Sequence, residues 1–255
     1  MKTSKSTFIQ VIFLSFLATS NAYALSNFNP GNLSGMLQSG VDSLINTVAL
    51  GSDYRAYSSA RPLGMLLGFD AGVDVTVITV PQAFKDAMSV ATGTATSSIP
   101  AQIPLPRMTF RKGLPKGFDI GFSLFPDYQG LFKTYGAGIQ WAPMWTVGID
   151  LAFRLSGNYT KLYFLATHCY SLDAVVSKKF FVFEPYMGLG LQDWSGSMEA
   201  SLSTLPVGVS GSQSGISPHF FGGLGFKMLI IKLVGEFNYS TEGISTWGLK
   251  ASLNF

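Results

Sequence analysis

Ser217 and His219 stand two residues apart in the run Ser217-Pro218-His219-Phe220-Phe221. On an extended strand such residues share a face, so a hydroxyl and an imidazole could serve there as nucleophile and general base. The pair needs a third group to orient the base, and no acid is placed to do so at that height. His168 has Tyr170 two positions on and no nucleophile. No Walker motif, zinc-ligand spacing or dinucleotide fingerprint occurs, and Gly222-Gly223-Leu224-Gly225 reads as strand glycine. The residue types predict no catalytic site, no metal and no cofactor. Cys169 is single, so it forms no internal disulfide.

The remaining chemistry lies in charges placed between apolar neighbours. They are Asp70, Asp74, Arg107, Arg111, Asp119, Asp150, Arg154, Lys161, Asp173, Glu184, Lys227, Lys232, Glu236 and Lys250. Acids and bases balance in this set, which predicts a neutral ionic network if all share one enclosed face. Lys227 and Lys232 would face each other across a tight turn, with Lys250 on the adjoining strand. Like charges in opposition are unfavourable, so the cluster either binds an anionic group or is neutralised by Glu184 and Glu236. The second is the expectation. Glycines occupy the same face: Gly68, Gly72, Gly121, Gly136, Gly138, Gly148, Gly188, Gly190, Gly223, Gly225 and Gly248. They imply barrel curvature, or room for water, a ligand or a plug.

The elements that must position these groups alternate strictly. Leu67, Phe69, Ala71, Val73, Val75 and Val77 interleave with Gly68, Asp70, Gly72, Asp74 and Thr76. Similar alternation runs from Val147 to Ser156 and from Trp247 to Phe255, giving one apolar and one polar face. The chain is 47% hydrophobic and only 12% charged. Beyond the N-terminal segment no apolar run is long enough for a membrane helix. Apolar residues spread by alternation fit strands of a closed barrel in lipid. The predicted fold is all-β, an antiparallel transmembrane barrel of about ten strands. They cover 66–80, 104–112, 117–126, 131–142, 145–156, 161–177, 180–192, 217–228, 231–240 and 244–255. The turn at Leu229-Ile230 is placed there because a single strand through it would be implausibly long. Connections then alternate in side, tight ones at 113–116, 143–144, 178–179 and 229–230 on one, and 81–103, 127–130, 157–160, 193–216 and 241–243 on the other, including the long 81–103 and 193–216. Short periplasmic turns and long external loops are the rule for such barrels. Trp141 and Trp145 on one side, and Tyr170, Phe220, Tyr239 and Trp247 on the other, are placed as interfacial girdles.

Lys2 and Lys5, the apolar run 8–18 and Ala22-Tyr23-Ala24 read as a secretory signal peptide over 1–24. Residues 25–65 form a helical lead-in or plug, and 66–255 the barrel. In the lead-in, Leu33, Met36, Leu37, Val41, Leu44, Ile45 and Val48 recur at helical spacing between Asn32 and Gly51. This amphipathic helix could cover the periplasmic mouth, enter the lumen or lie on the leaflet; the mouth is the expectation. The loops 81–103 and 193–216 are expected to be mobile and external.

The last strand, Trp247-Gly248-Leu249-Lys250-Ala251-Ser252-Leu253-Asn254-Phe255, resembles the terminal signal of bacterial outer-membrane β-barrel proteins. That resemblance implies that Trp247, Leu249, Leu253 and Phe255 are read by the barrel-assembly machinery. It also implies residence in the outer-membrane lipid of a Gram-negative cell. The class hosts many functions. The leading expectation is passage, a narrow pore or uptake route for a small-molecule solute. Next is a closed-lumen structural or surface-interaction barrel, and then a hydrolase using Ser217 and His219. The near-neutral mature chain argues against nucleic acid as a partner.

Overall fold

A computed structural model describes residues 38–92, 95–128, 132–143, 148–162, 165–200 and 209–255. The signal peptide, the helical positions Leu33, Met36 and Leu37, and Trp145 lie outside the described residues. Ten antiparallel strands close into a barrel in sequence order, β1 pairing with both β2 and β10. They are β1 (Phe69–Thr79), β2 (Gln102–Gly113), β3 (Phe118–Tyr128), β4 (Phe132–Trp141) and β5 (Asp150–Leu162). β6 (Leu165–Ser177), β7 (Phe183–Ala200), β8 (Val209–Met228), β9 (Ile231–Ser240) and β10 (Ser245–Asn254) complete it. Helix α1 (Gln38–Gly51) precedes β1, and α2 (Gln82–Thr92) lies in the β1–β2 connection.

The period of two is what closes this barrel in lipid. Val73, Phe153, Leu155, Leu189, Leu233, Leu249 and Leu253 are exposed outward, while their sequence neighbours Asp74, Arg154, Lys232 and Lys250 are buried. Each strand pairs with a neighbour on both sides, so the sheet has no free edge in hydrocarbon. Trp141, Tyr170, Phe220, Tyr239 and Trp247 are exposed on the same outer face. This is the architecture of a bacterial outer-membrane β-barrel. The end carrying the C-terminus has the connections 114–117, 142–149, 178–182 and 229–230, the second and third longer than the expected 143–144 and 178–179, and is assigned as the periplasmic, inner end. The opposite, outer end receives the connection 80–101 and the tips of β7 and β8.

Four expectations change. The turn expected at 157–160 is paired strand: Asn158 faces Cys169 and Leu162 faces Leu165. Lys161, expected inward, is therefore exposed outside. The loop expected at 193–216 is mostly hairpin, with pairing from Leu191↔Pro218 up to Ala200↔Val209. Outward apolar residues stop at Leu191 and Ile216, and above them Asp193, Ser195, Ser197, Ser212 and Ser214 are exposed. The hairpin thus rises out of lipid, where its outer face needs no oil. Gly148, expected inward, is a turn residue with φ +88°. The Leu229-Ile230 turn stands as placed, between the paired Met228 and Ile231.

The fourth change concerns the lead-in. Helix α1 does not cover the periplasmic mouth; it lies within the outer half of the barrel. Val41, Leu44, Ile45 and Val48 pack with Ile78, Phe84, Met88, Leu165, Trp194, Met198 and Ile244. Small wall residues admit it: a Cβ on Gly196 would stand 2.5 Å from Ile45, and one on Gly211 2.7 Å from Val41.

Candidate functional site

Below α1 the chain runs irregularly down the lumen, with Tyr57 at φ +45° and bends at Ser58 and Ala60, and every residue from Thr47 to Ala60 is buried. We call residues 52–63 the arm. Ser52 Oγ lies 2.8 Å from Thr160 Oγ1, near the outer end of β5. The Asp53 carboxylate accepts hydrogen bonds from Ser171 Oγ at 2.9 Å and Gln192 Nε2 at 2.7 Å. Arg55 donates to Thr246. Tyr57 Oη lies 2.5 Å from Thr76 Oγ1. Lower down, the Ala60 amide donates to Ser177 Oγ at 3.1 Å and its carbonyl accepts from Gln140 Nε2 at 3.1 Å. The Leu63 amide donates to Asp119 Oδ1 at 3.0 Å. Ser177 ends β6 and Asp119 starts β3, so the arm reaches the inner rim.

A segment outside helix and sheet leaves its backbone groups unpaired, and buried ones must find partners. Wall arginines supply them. Arg107 Nη1 donates to the Asp53 carbonyl at 2.7 Å, and Arg154 Nη2 to the carbonyls of Ser58 and, at 2.9 Å, Ser59. The tyrosines supply the packing. A Cβ on Gly138 would stand 2.7 Å from the Tyr54 ring and one on Gly136 2.9 Å; Gly121 also faces Tyr54, and Gly248 faces Tyr57. These inward glycines make room for a plug.

Other inward glycines let side chains reach across a strand. Asp173 pairs with Gly190, which pairs with His219. Because Gly190 has no side chain, Asp173 Oδ1 meets His219 Nε2 at 2.8 Å. Tyr186 reaches Glu236 over Gly223 in the same way, its hydroxyl donating at 2.6 Å. The expectation that no acid stands near His219 is therefore overturned. The imidazole still has both nitrogens engaged, since Asn238 Nδ2 lies 3.2 Å from Nδ1. Ser217 Oγ lies 2.6 Å from Ser240 Oγ and 3.2 Å from Thr241 Oγ1. The two residues share a face without forming a nucleophile–base pair.

The sequence-predicted charges fall as follows. Asp74 and Arg107 are fully buried and 3.1 Å apart. Arg111 and Asp119 are 3.0 Å apart. Asp70 takes Lys250 at 2.6 Å, and Glu184 takes Lys232 at 2.9 Å. Arg154 Nε donates to Gln140 Oε1 at 2.7 Å. Asp150 is half-buried at the inner end of β5. Lys227 directly opposes Lys232 and donates to Asn254 Oδ1 at 2.5 Å. The three lysines thus turn to three different partners instead of converging on an anion. Glu236, expected as a neutraliser, is occupied by Tyr186, and Asp70 takes the role instead. Within the lumen the arm adds Asp53 and Arg55, one charge of each sign, while its Arg61 is exposed at the inner rim. Between arm and wall a cavity of about 30 Å³, lined by Asp53, Arg55, Asp173, His219 and Glu236, has room for one or two waters. Among the described residues no cluster of His, Cys, Asp and Glu is arranged to hold a metal.

Sequence reasoning missed Ser52 to Ala60 as part of the site. Two signals could have found them: tyrosines three apart in a polar segment, and inward glycines with nothing to receive. Trp247, Leu249, Leu253 and Phe255 all point outward from β10.

No family model matches the chain, and no curated protein does. Among solved structures, the N-terminal β-barrel domain of Pseudomonas aeruginosa OprF is 14% identical, with 72% of this chain and 97% of that one covered and a TM-score of 0.34. Ail, the attachment invasion locus protein of Yersinia pestis, is 16% identical over 74% and 100%, with a TM-score of 0.35. The outer membrane protease OmpT of Escherichia coli is 8% identical over 77% and 100%, with a TM-score of 0.39. Likenesses this distant carry nothing about function, and the barrel assignment rests on the strand pairing and the apolar outer belt.

Proposed function

We propose that this protein is a closed-lumen barrel that works at the cell surface, not a standing pore for solutes. The observation that supports it is the unbroken burial of Thr47 to Ala60 inside the barrel. An arm hydrogen-bonded to wall residues on several strands leaves no continuous path, and the cavity beside it is too small for a solute. The parts free to meet partners are then at the outer end: α2 in the β1–β2 connection, and the polar upper hairpin of β7 and β8. Outer-membrane lipid and the barrel-assembly machinery are the partners in this reading, the latter through Trp247, Leu249, Leu253 and Phe255. No catalytic step belongs to it, because Ser217 and His219 are each bonded elsewhere.

A second reading, gated uptake of a small solute, draws on the polarity of the arm's contacts. Water could replace the bonds to the carbonyls of Asp53, Ser58, Ser59 and Ala60 if the arm withdrew. Conductance in planar bilayers separates the two. The intact protein should stay closed, and a variant lacking 38–63 should conduct steadily. Steady conductance by the intact protein, equal to that of the variant, would overturn the closed-lumen reading.

A further inference from the structure

The order of the arm's contacts gives it a direction. Ser52 meets Thr160 high on β5, Ala60 meets Ser177 at the foot of β6, and Leu63 meets Asp119 at the foot of β3. The chain then turns back at the inner rim. Lys112 Nζ donates to the Met65 carbonyl at 2.8 Å, the Gly113 amide to the Gly68 carbonyl at 2.9 Å, and Gly64 takes φ +90°. From this turn β1 climbs outward again, so arm and β1 form two limbs of one bend, the first inside the barrel and the second in its wall.

Burial along α1 agrees. Gly40, Asp42, Ser43 and Asn46 are half-buried, and from Thr47 onward nothing is exposed until Arg61. The helix also packs on Val80, Phe84, Met88 and Ile99 of the outer connection. Its Gln38 end therefore opens on the side away from the periplasmic turns. A secreted chain is delivered to the periplasm, the opposite side.

We infer that the protein passes its own N-terminal portion outward through its barrel, so that α1 begins at the cell surface and the arm stays behind as the plug. The barrel is thus the carrier of a surface-displayed segment that is part of the same chain. Closure of β1 on β10 around the bend is the step that traps the arm, since Tyr57 meets Thr76 of β1 and Gly248 of β10, which only the closed wall brings together. The inference does not depend on whether the plugged barrel leaks ions.

The test is a protease-recognition sequence inserted immediately before Gln38, with the same sequence placed in separate chains at 241–243 and at 178–179 as outer and inner controls. On intact cells the site before Gln38 should be cut to the same extent as the outer control, and the inner control only after the outer membrane is permeabilised. Cleavage before Gln38 only after permeabilisation, with the outer control cut normally, would overturn the inference. Should the insertion block folding, the pair Ser52→Cys with Thr160→Cys in a Cys169→Ala chain decides it. A disulfide should form in nearly all folded barrels, and its absence from folded barrels would place Ser52 away from the outer half and overturn the inference.

Discussion

Gly138 receives the Tyr54 ring with no space to spare. A methyl there would meet a ring carbon at 2.7 Å, and the ring is held between wall and arm. Gly138→Ala should therefore cost about 1–3 kcal/mol of unfolding free energy, the usual range for overpacking. In a Tyr54→Ala background the same change should cost close to nothing, a coupling that a double-mutant cycle in urea-unfolded proteoliposomes would measure. Arg107 makes a different demand. It is fully buried, with Asp74 as its carboxylate and the arm's carbonyls as further acceptors. Asp74→Asn should cost about 3–5 kcal/mol, because it strands a buried charge. In the variant lacking 38–63 the wall is wet, and the same substitution should cost about 1 kcal/mol or less.

The elements divide by what their outer faces meet. Strand segments within the lipid belt were legible, since alternate residues must be apolar there; β9 and β10 fall within a residue of expectation. The upper parts of β7 and β8 were not. Above Leu191 and Ile216 the outer residues are serines and an aspartate, and the inner ones include Gly196 and Gly211, so the stretch reads as a Ser/Gly loop. Its strands are held by pairing and by α1 against the glycines, neither of which leaves an apolar pattern. Helix α1 was visible in its spacing, but its address was not, because an apolar face suits a mouth, a lumen or a leaflet equally. Ile45 is completely buried in that cluster. Ile45→Ala should lower its stability by about 2–5 kcal/mol, seen as a corresponding loss of amide protection in α1 with β3 and β4 unchanged.

At the scale of the whole molecule, the barrel resolves a conflict that its wall alone presents. Inward glycines leave space, and inward charges need neighbours in a region that water would otherwise fill. The arm answers both at once, placing two aromatic rings in the glycine grooves and carbonyls on Arg107 and Arg154, while the Asp53 and Arg55 it buries carry one charge of each sign. The sequence offered a plug as one option but not the arm's path, because the arm has no periodicity. Its conformation is set by a wall assembled from strands far away in the chain. The inward charges were legible as a set but not as partners, since Asp173 with His219 depends on Gly190 between them; with Lys161 outside, the set holds seven acids to six bases.

The occupied lumen is tested most directly by nuclear Overhauser contacts in the folded protein in detergent micelles or nanodiscs. Tyr54 ring protons should show strong contacts to the Hα protons of Gly136 and Gly138 on β4. A Tyr54 ring whose contacts are to water, with none to those glycines, would mean that the lumen is empty and would contradict the account.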